Sequence, residues 1–308
     1  MIKVLTNKLI YKNLDKKFSH AQYPVPIKLK NKVRIFFSKR DKNNRSQPFF
    51  IDLDPSNLSK VIYEQKKPIL KFGKPGMFDD AGVMPTSIIK YKKLYYMYYI
   101  GWTTRKNIPY SNHIGLATSK NCKNFKKYLN IPLLNPTKKE PYYTASLQVI
   151  KKGIFYGAYL SCIGWKKIKN LYEPIYDVKM STSKDLINWK RDGRPILKLK
   201  KKEGGICPTS LVKINKKYFI FYSYRNAKNF RTSTKDSYKI GIAFTRNFKT
   251  WKRYDKLKLI TKKNSWNNDM QCYPSVLIID KTINIFYNGN GFGKSGIGLA
   301  KITGLDKL

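Results

Sequence analysis

Apolar and polar positions along this chain group into short blocks rather than at helical spacing, and the blocks recur. The segment Pro85-Thr-Ser-Ile-Ile-Lys-Tyr-Lys-Lys-Leu-Tyr-Tyr-Met-Tyr-Tyr99 returns as Pro208-Thr-Ser-Leu-Val-Lys-Ile-Asn-Lys-Lys-Tyr-Phe-Ile-Phe-Tyr222. Looser copies start at Pro24 and Pro274, and a fifth runs from Ala145 through Val149 to Phe155-Tyr156. Each reads as an apolar strand, a Lys/Asn/Gly turn, and a strand rich in aromatic and β-branched residues. A second element follows: Ser119, Ser183 and Thr245 each stand six residues before an aromatic, Phe125, Trp189 and Trp251. A short strand, Ile114-Gly-Leu-Ala117, recurs as Ile240-Gly-Ile-Ala243 and Ile297-Gly-Leu-Ala300. No segment longer than a turn or two sustains helical periodicity.

Five copies of a three- or four-stranded unit, anchored at 24, 85, 145, 208 and 274, predict an all-β fold: a five-bladed β-propeller spanning residues 1–308 as one domain. The last copy has room for only three strands. Residues 2–5 or 8–12 are expected to supply a fourth, closing the ring and removing exposed sheet edges.

Composition narrows the function. A hydrophobic fraction of 42% and an aromatic fraction of 14% exclude a disordered chain. Lys+Arg number 63 against 18 Asp+Glu, a net charge of +45, which attracts polyanions. The lysines are spread along the whole chain, however, and only ten of the 63 are arginine, the residue suited to bidentate base and phosphate contacts. Nucleic acid is therefore disfavoured as a partner. No apolar run approaches the ~20 residues of a membrane span, and residues 1–17 lack a signal-peptide core, so a cytoplasmic location is expected. Cys122, Cys162, Cys207 and Cys272 form no Cys-x-x-Cys pair, and His20 and His113 lie far apart. Neither a metal nor a cofactor is expected. Asn288-Gly-Asn-Gly-Phe-Gly-Lys-Ser295 is like a phosphate-binding loop, but its first required glycine is Asn288 and a strand follows, so it reads as a glycine-rich hairpin.

Acid is scarce, which gives its placement weight. Five residues before each anchor stand Ser19, Asp80, Glu140, Glu203 and Asp269. In a propeller the first strand of each blade lines the central channel, so these carboxylates are expected to gather at its mouth. Converging carboxylates suit glycosyl chemistry, in which one acid protonates the leaving oxygen and another activates water or attacks the anomeric carbon. Like-charged neighbours raise the pKa that the acid needs.

The motifs Asp79-Asp80-Ala-Gly-Val-Met-Pro85, Ile114-Gly-Leu-Ala-Thr-Ser119 and Asn188-Trp-Lys190 resemble those of the five-bladed propeller glycosidases, families 43 and 32 and the related family 130 phosphorylases. The chain is most similar to a glycosidase-like group associated with bacterial surface-polysaccharide gene sets. Family 43 enzymes draw an Asp base, an Asp pKa modulator and a Glu acid from different blades. Carried over by position, the resemblance implies Glu203 as general acid, Asp80 as base or nucleophile, and Glu140 as pKa modulator or hydroxyl ligand. Where the base Asp is expected in blade one, this chain reads Ser19-His20-Ala-Gln-Tyr-Pro24, which leaves that role to Asp80 or Asp41. Family 130 enzymes use one carboxylic acid and a basic phosphate pocket, for which Arg40 and Arg225 are candidates. Asp41, Glu173, Asp269, Asn288 and Asn290 are further candidate sugar contacts. Trp102 and Trp165, each in an Ile-Gly-Trp after a strand, are read either as sugar-stacking platforms or as packing between blades. The leading expectation is a carbohydrate-active enzyme that cleaves or transfers glycosyl groups in polysaccharide metabolism. A non-catalytic glycan-binding propeller and a polyanion binder are the alternatives.

Overall fold

Each apolar strand and its aromatic partner form an antiparallel hairpin, and each hairpin extends into a meander. The computed structural model describes residues 2–255, 257, 259 and 266–308. After β1 (Lys3–Tyr11) come β2 (Ser19–Leu29), β3 (Lys32–Arg40), β4 (Ser46–Leu53) and β5 (Val61–Glu64), paired in that order. The second unit is β6 (Gly82–Tyr91), β7 (Leu94–Thr104), β8 (Tyr110–Ser119) and β9 (Lys126–Lys127). The third is β10 (Thr144–Lys152), β11 (Ile154–Ile168), β12 (Leu171–Ser183) and β13 (Trp189–Leu197). The fourth is β14 (Glu203–Ile214), β15 (Lys217–Asn226), β16 (Lys239–Thr245) and β17 (Lys252–Tyr254). The fifth is β18 (Cys272–Ile279), β19 (Thr282–Asn288) and β20 (Ile297–Thr303), and here β1 pairs antiparallel with β20 as the fourth strand.

The middle of each second strand is mostly apolar on both faces because neighbouring units cover both of them. Phe36 and Phe37 on β3 and Phe219 and Phe221 on β15 are completely buried. The apolar core accordingly lies between units. Tyr98, Ile114 and Leu116 of the second pack on Leu147 and Tyr159 of the third. Ala158 and Val178 of the third meet Tyr218 and Ile220 of the fourth. Phe219 meets Ile283 and Ile285 of the fifth, and Phe286 and Leu299 of the fifth meet Val33 and Ile35 of the first.

The first strands touch in the order β2, β6, β10, β14, β18 and back to β2. Each carries a register break beside its anchor, as between Pro85 and Ser87 and between Pro208 and Ser210. Such bulges re-aim side chains and break the ladder locally. At Tyr23 the backbone is left-handed, φ 61°. The side chain is wholly buried, and its hydroxyl reaches Ser146 Oγ at 2.5 Å and the Pro208 carbonyl at 3.2 Å. Units one, three and four are thus tied at the centre. The Asn288–Ser295 segment links β19 to β20 through one short turn of helix, Asn290–Gly293, rather than the plain hairpin expected, with Gly291 (φ 65°), Phe292 (φ 57°) and Gly293 (φ 94°) in the left-handed region, where the glycines carry no Cβ strain. Among the described residues no helix is long and apolar enough to cross a membrane.

Candidate functional site

In units two to four, a tyrosine and a cation from equivalent repeat positions meet an acid inside the unit, the acid standing six residues before the anchor in unit two and five in the other two. The Tyr99 hydroxyl donates to Asp79 Oδ2 at 3.0 Å, and Lys127 Nζ lies 2.6 Å from the same oxygen. The Tyr159 hydroxyl lies 3.0 and 3.2 Å from the two Glu140 oxygens, Ser161 donates to Glu140 at 3.0 Å, and Arg191 and Lys179 approach to 3.3 and 3.5 Å. Arg253 donates to both Glu203 oxygens at 2.9 and 2.7 Å and through Nε to the Tyr222 hydroxyl at 3.1 Å. Lys127, Arg191 and Arg253 each follow Ser119, Ser183 or Thr245 by eight residues. Glu140 is 2% exposed.

Glu140 is held by Tyr159, Ser161 and Arg191 of the third unit, and Glu203 by Arg253 of the fourth. Among the described residues no hydrogen bond or ion pair joins Asp80, Glu140 or Glu203 to one another. In the second unit Asp79, one residue before the expected position, occupies the matching clasp. Asp80, next to the clasped Asp79, is half-buried and accepts the Gly76 N–H at 2.9 Å. It directly precedes Ala81, whose N–H bonds the Trp102 carbonyl at 3.1 Å and whose carbonyl accepts the Ser46 N–H at 3.2 Å.

Trp102 and Ser46 lead to the cavity where units one, two, four and five meet. It measures about 440 Å³ and is lined by Gln22, Arg40, Trp102, Tyr110, Asn112, Arg231, Tyr238 and Tyr273 among others, with no carboxylate in its wall. Tyr273 stacks on Tyr23 with ring centroids 4.6 Å apart, so the buried Tyr23 underlies the cavity. Arg40, the last residue of β3, donates from Nε and Nη2 to Gln22 Oε1 at 3.1 and 2.9 Å. Among the described residues it makes no ion pair. Burial lowers its pKa, Tyr273 opposes this, and the charge of Arg231 lowers it further. Arg231 is bidentate to Glu173 at 2.7 and 3.2 Å. Burial alone would lower the Arg231 pKa, and Glu173 reverses that. His20 is pushed down to about 4, first by burial and then by Arg40 and Lys294. The wall is therefore cationic and aromatic, able to receive a planar anion and a sugar face together.

The remaining expected contacts divide. Arg40 and Trp102 line the cavity. Trp165 packs on Tyr143 and on the cavity residue Tyr110, with centroids at 5.9 and 6.2 Å. Arg225 is 1% exposed and lies behind the wall, donating to Tyr176, Tyr238 and the Pro174 carbonyl. Asp41 closes its own turn and pairs with Arg45 at 2.9 Å. Asn288 is structural: it donates to the carbonyls of Ala21 and Gly296 and accepts the Tyr23 N–H, joining unit five to unit one. Asp269 accepts from Thr234, and Asn290 accepts the N–H groups of Asp269 and Met270. Sequence reasoning missed Arg231, Tyr110, Tyr238 and Tyr273. The available signal was arginine itself, placed at 231 in a chain that otherwise uses lysine.

Comparison with known proteins finds relatives of this chain and of its fold. A sequence model described as the glycosyl hydrolases family 32 N-terminal domain matches residues 177–290. Two uncharacterized proteins of Mycobacterium tuberculosis, one from each of two strains, are 30% identical over 291 residues, covering 93% of this chain and 94% of theirs. A solved structure described as a glycoside hydrolase superposes with a TM-score of 0.73 at 17% identity, covering 95% of this chain and 90% of that one. A structure from work on the family 130 mannoside phosphorylases, described as containing glycoside hydrolases that target beta-1,2 mannosidic linkages in Candida mannan, gives 0.68 at 15% identity, covering 96% and 91%. A thermostable family-43 glycoside hydrolase gives 0.64 at 18% identity, covering 95% and 91%.

Proposed function

The chain belongs to the family of the two mycobacterial proteins, its fold is that of solved glycosidase structures, and from that premise we propose that its cavity seats a saccharide beside an anionic group. In this reading each meander is one blade of a five-bladed ring, residues 1–308 are a single domain, and β1 closes the last blade. The observation that carries the proposal is Arg40: a half-buried guanidinium whose side-chain hydrogen bonds among the described residues go to Gln22, facing a second arginine across a wall without carboxylates. Arginine's planar fork matches phosphate or carboxylate oxygens, and Trp102, Tyr110 and Tyr273 offer faces for a sugar ring. The anion is either inorganic phosphate or a carboxylate of the saccharide itself.

Of the three carboxylates expected to act, we assign proton transfer to Asp80, which stands beside the cavity wall, and we assign Glu140 and Glu203 to the bracing of their blades. With phosphate on Arg40, a phosphate oxygen attacks the anomeric carbon, the glycosidic C–O bond breaks, and the departing oxygen takes the Asp80 proton. Calorimetry with inorganic phosphate and with glucuronate tests the site. Arg40→Met is expected to weaken one of the two by about tenfold or more, and unchanged affinity for both would overturn the proposal. Asp80→Asn is expected to keep binding while lowering phosphate-dependent turnover of aryl glycosides by about a hundredfold. The wall's lack of a carboxylate favours a second reading, glycan binding alone, which calls for saccharide binding that depends on Arg40 without turnover in the parent protein.

A further inference from the structure

Strands β11 and β12 are longer than their counterparts. Pairing with β10 ends at Ser161, but β11 and β12 stay paired to Ile168–Leu171, so residues 163–172 project as a two-stranded arm. The arm's base is fixed at the cavity. Trp165 packs on Tyr110, Glu173 binds Arg231, and the Pro174 carbonyl accepts from Arg225. Beyond that base the arm is unlike an ordinary polar hairpin. Ile163, Leu171 and Tyr172 are 44%, 60% and 40% exposed, and the neighbouring Tyr142 is 44% exposed. Lys166, Lys167 and Lys169 stand exposed among them. The arm's one acid, Glu173, is buried against Arg231.

We propose that this arm docks the protein on an anionic lipid bilayer and so presents the cavity to saccharide carried at the membrane surface. Apolar side chains enter the headgroup boundary while lysines meet the lipid charge, the combination that interfacial elements use. Charge complementarity selects this occupant. Among the described residues the arm's three lysines make no ion pair and its one carboxylate is taken by Arg231, and the whole molecule carries +45. A protein partner covering the same residues would need acids to match them, whereas an anionic bilayer supplies that charge at any orientation about the arm. The arm lies outside the cavity wall, so the docking does not depend on the assignments of Arg40 or Asp80, while the saccharide it presents rests on the function proposed for the cavity.

Vesicle co-sedimentation tests it, with phosphatidylcholine alone and with equal parts phosphatidylcholine and phosphatidylglycerol. The full-length protein is expected on the anionic vesicles. Leu171→Ser with Tyr172→Ser should weaken binding about tenfold, and Lys166→Gln, Lys167→Gln and Lys169→Gln together roughly a hundredfold. Lys120→Gln, Lys184→Gln and Lys216→Gln, an equal charge change at exposed turns elsewhere, should cost less than about threefold by the same rule of distance from the lipid charge. Equal losses in the two lysine triples would overturn the proposal in favour of diffuse charge. So would unaltered binding in the Leu171/Tyr172 variant, or concentration-dependent self-association that this variant abolishes while vesicle binding persists. Circular dichroism identifies an unfolded variant, and the lysine triples then decide alone. Phosphate or glucuronate binding measured on the same variants separates failure of the arm from failure of the cavity.

Discussion

Arginine is used where a planar fork is needed. Arg34 is bidentate to the buried Asp52 at 2.6 and 2.7 Å, Arg253 to Glu203, and Arg231 to Glu173. Its scarcity is plain in the composition; its meaning needs the partners, which lie 18 to 58 residues away in sequence. The same distance hides the role of Glu140. Its alignment with Asp80 and Glu203 is visible in the repeat, whereas Tyr159 and Arg191 become its partners only once the meander forms. Glu140→Gln leaves Arg191 and Lys179 short of an anion, so denaturant unfolding is expected to show a loss of about 3–5 kcal/mol, with phosphate or glucuronate affinity unchanged. Asp177 gives the pH dependence. Burial chiefly pushes its carboxyl up to about 6, with Lys179 opposing and Glu140 adding. Its Oδ1 is buried without a hydrogen bond among the described residues. An unfolded aspartate loses its proton near pH ~4, so between there and about 6 the folded protein holds a proton that the unfolded chain has released. The Asp177 contribution to stability therefore falls as pH rises through that window and stays lower above it, while His20, pushed down to about 4, contributes in the opposite sense over the same range. The Asp177 share is the difference between the parent protein and Asp177→Asn in a melting-temperature series from pH 4 to 8, where the variant is expected to gain on the parent as pH rises from about 4 to 6.

At the scale of the element, the strands and hairpins are legible because each half of a hairpin is a continuous apolar run broken by Lys, Asn or Gly. The turn after each third strand is half legible. Its Ser or Thr six residues before an aromatic is visible, but the reason is backbone geometry. Ser183 Oγ accepts the N–H groups of Asp185 and Leu186, and Asp185 Oδ1 accepts those of Ile187 and Asn188. Asn121 and Asn247 repeat the carboxyl's role with an amide oxygen. These bonds drive the following residue left-handed, with φ 58° at Cys122, 71° at Leu186 and 62° at Phe248. All three side chains are buried, so strain of ~1–2 kcal/mol is offset by an apolar contact. Leu186→Ala and Leu186→Gly both empty that contact, at a cost of about 2–4 kcal/mol. The glycine variant is expected to remain roughly 1 kcal/mol the more stable, since it alone loses the strain. Chemical denaturation of the pair checks the order, which would be reversed in a right-handed turn. The arm of β11 and β12 escapes sequence reading, because its apolar residues alternate with lysines no differently from a covered strand.

For the whole molecule, the repeat fixes the unit, and the repeat is also what obscures the site. A cavity at the meeting of several units is built from a different residue of each: Arg40 in one, Trp102 in another, Arg231 and Tyr273 in two more. Periodic acids are the wrong signal for it, since periodicity marks what every unit needs for itself. β1 belongs to this scale too. It pairs with β20 from Lys3↔Thr303 to Tyr11↔Ile297, and the Tyr11 hydroxyl donates to Glu64 of the first unit at 2.9 Å, so it binds both neighbours at once. Removing residues 2–11 is expected to expose β20 as an edge. A drop of more than about 10 °C in melting temperature, with light-scattering aggregation on heating, would be the result.

That pairing also sets a schedule. During synthesis β1 leaves the ribosome before the five meanders and finds its strand partner only when β20 follows. Until then its backbone groups must be satisfied by water or by a holding chaperone. A chain halted before β20 is therefore expected to hold four assembled units with β1 unpaired.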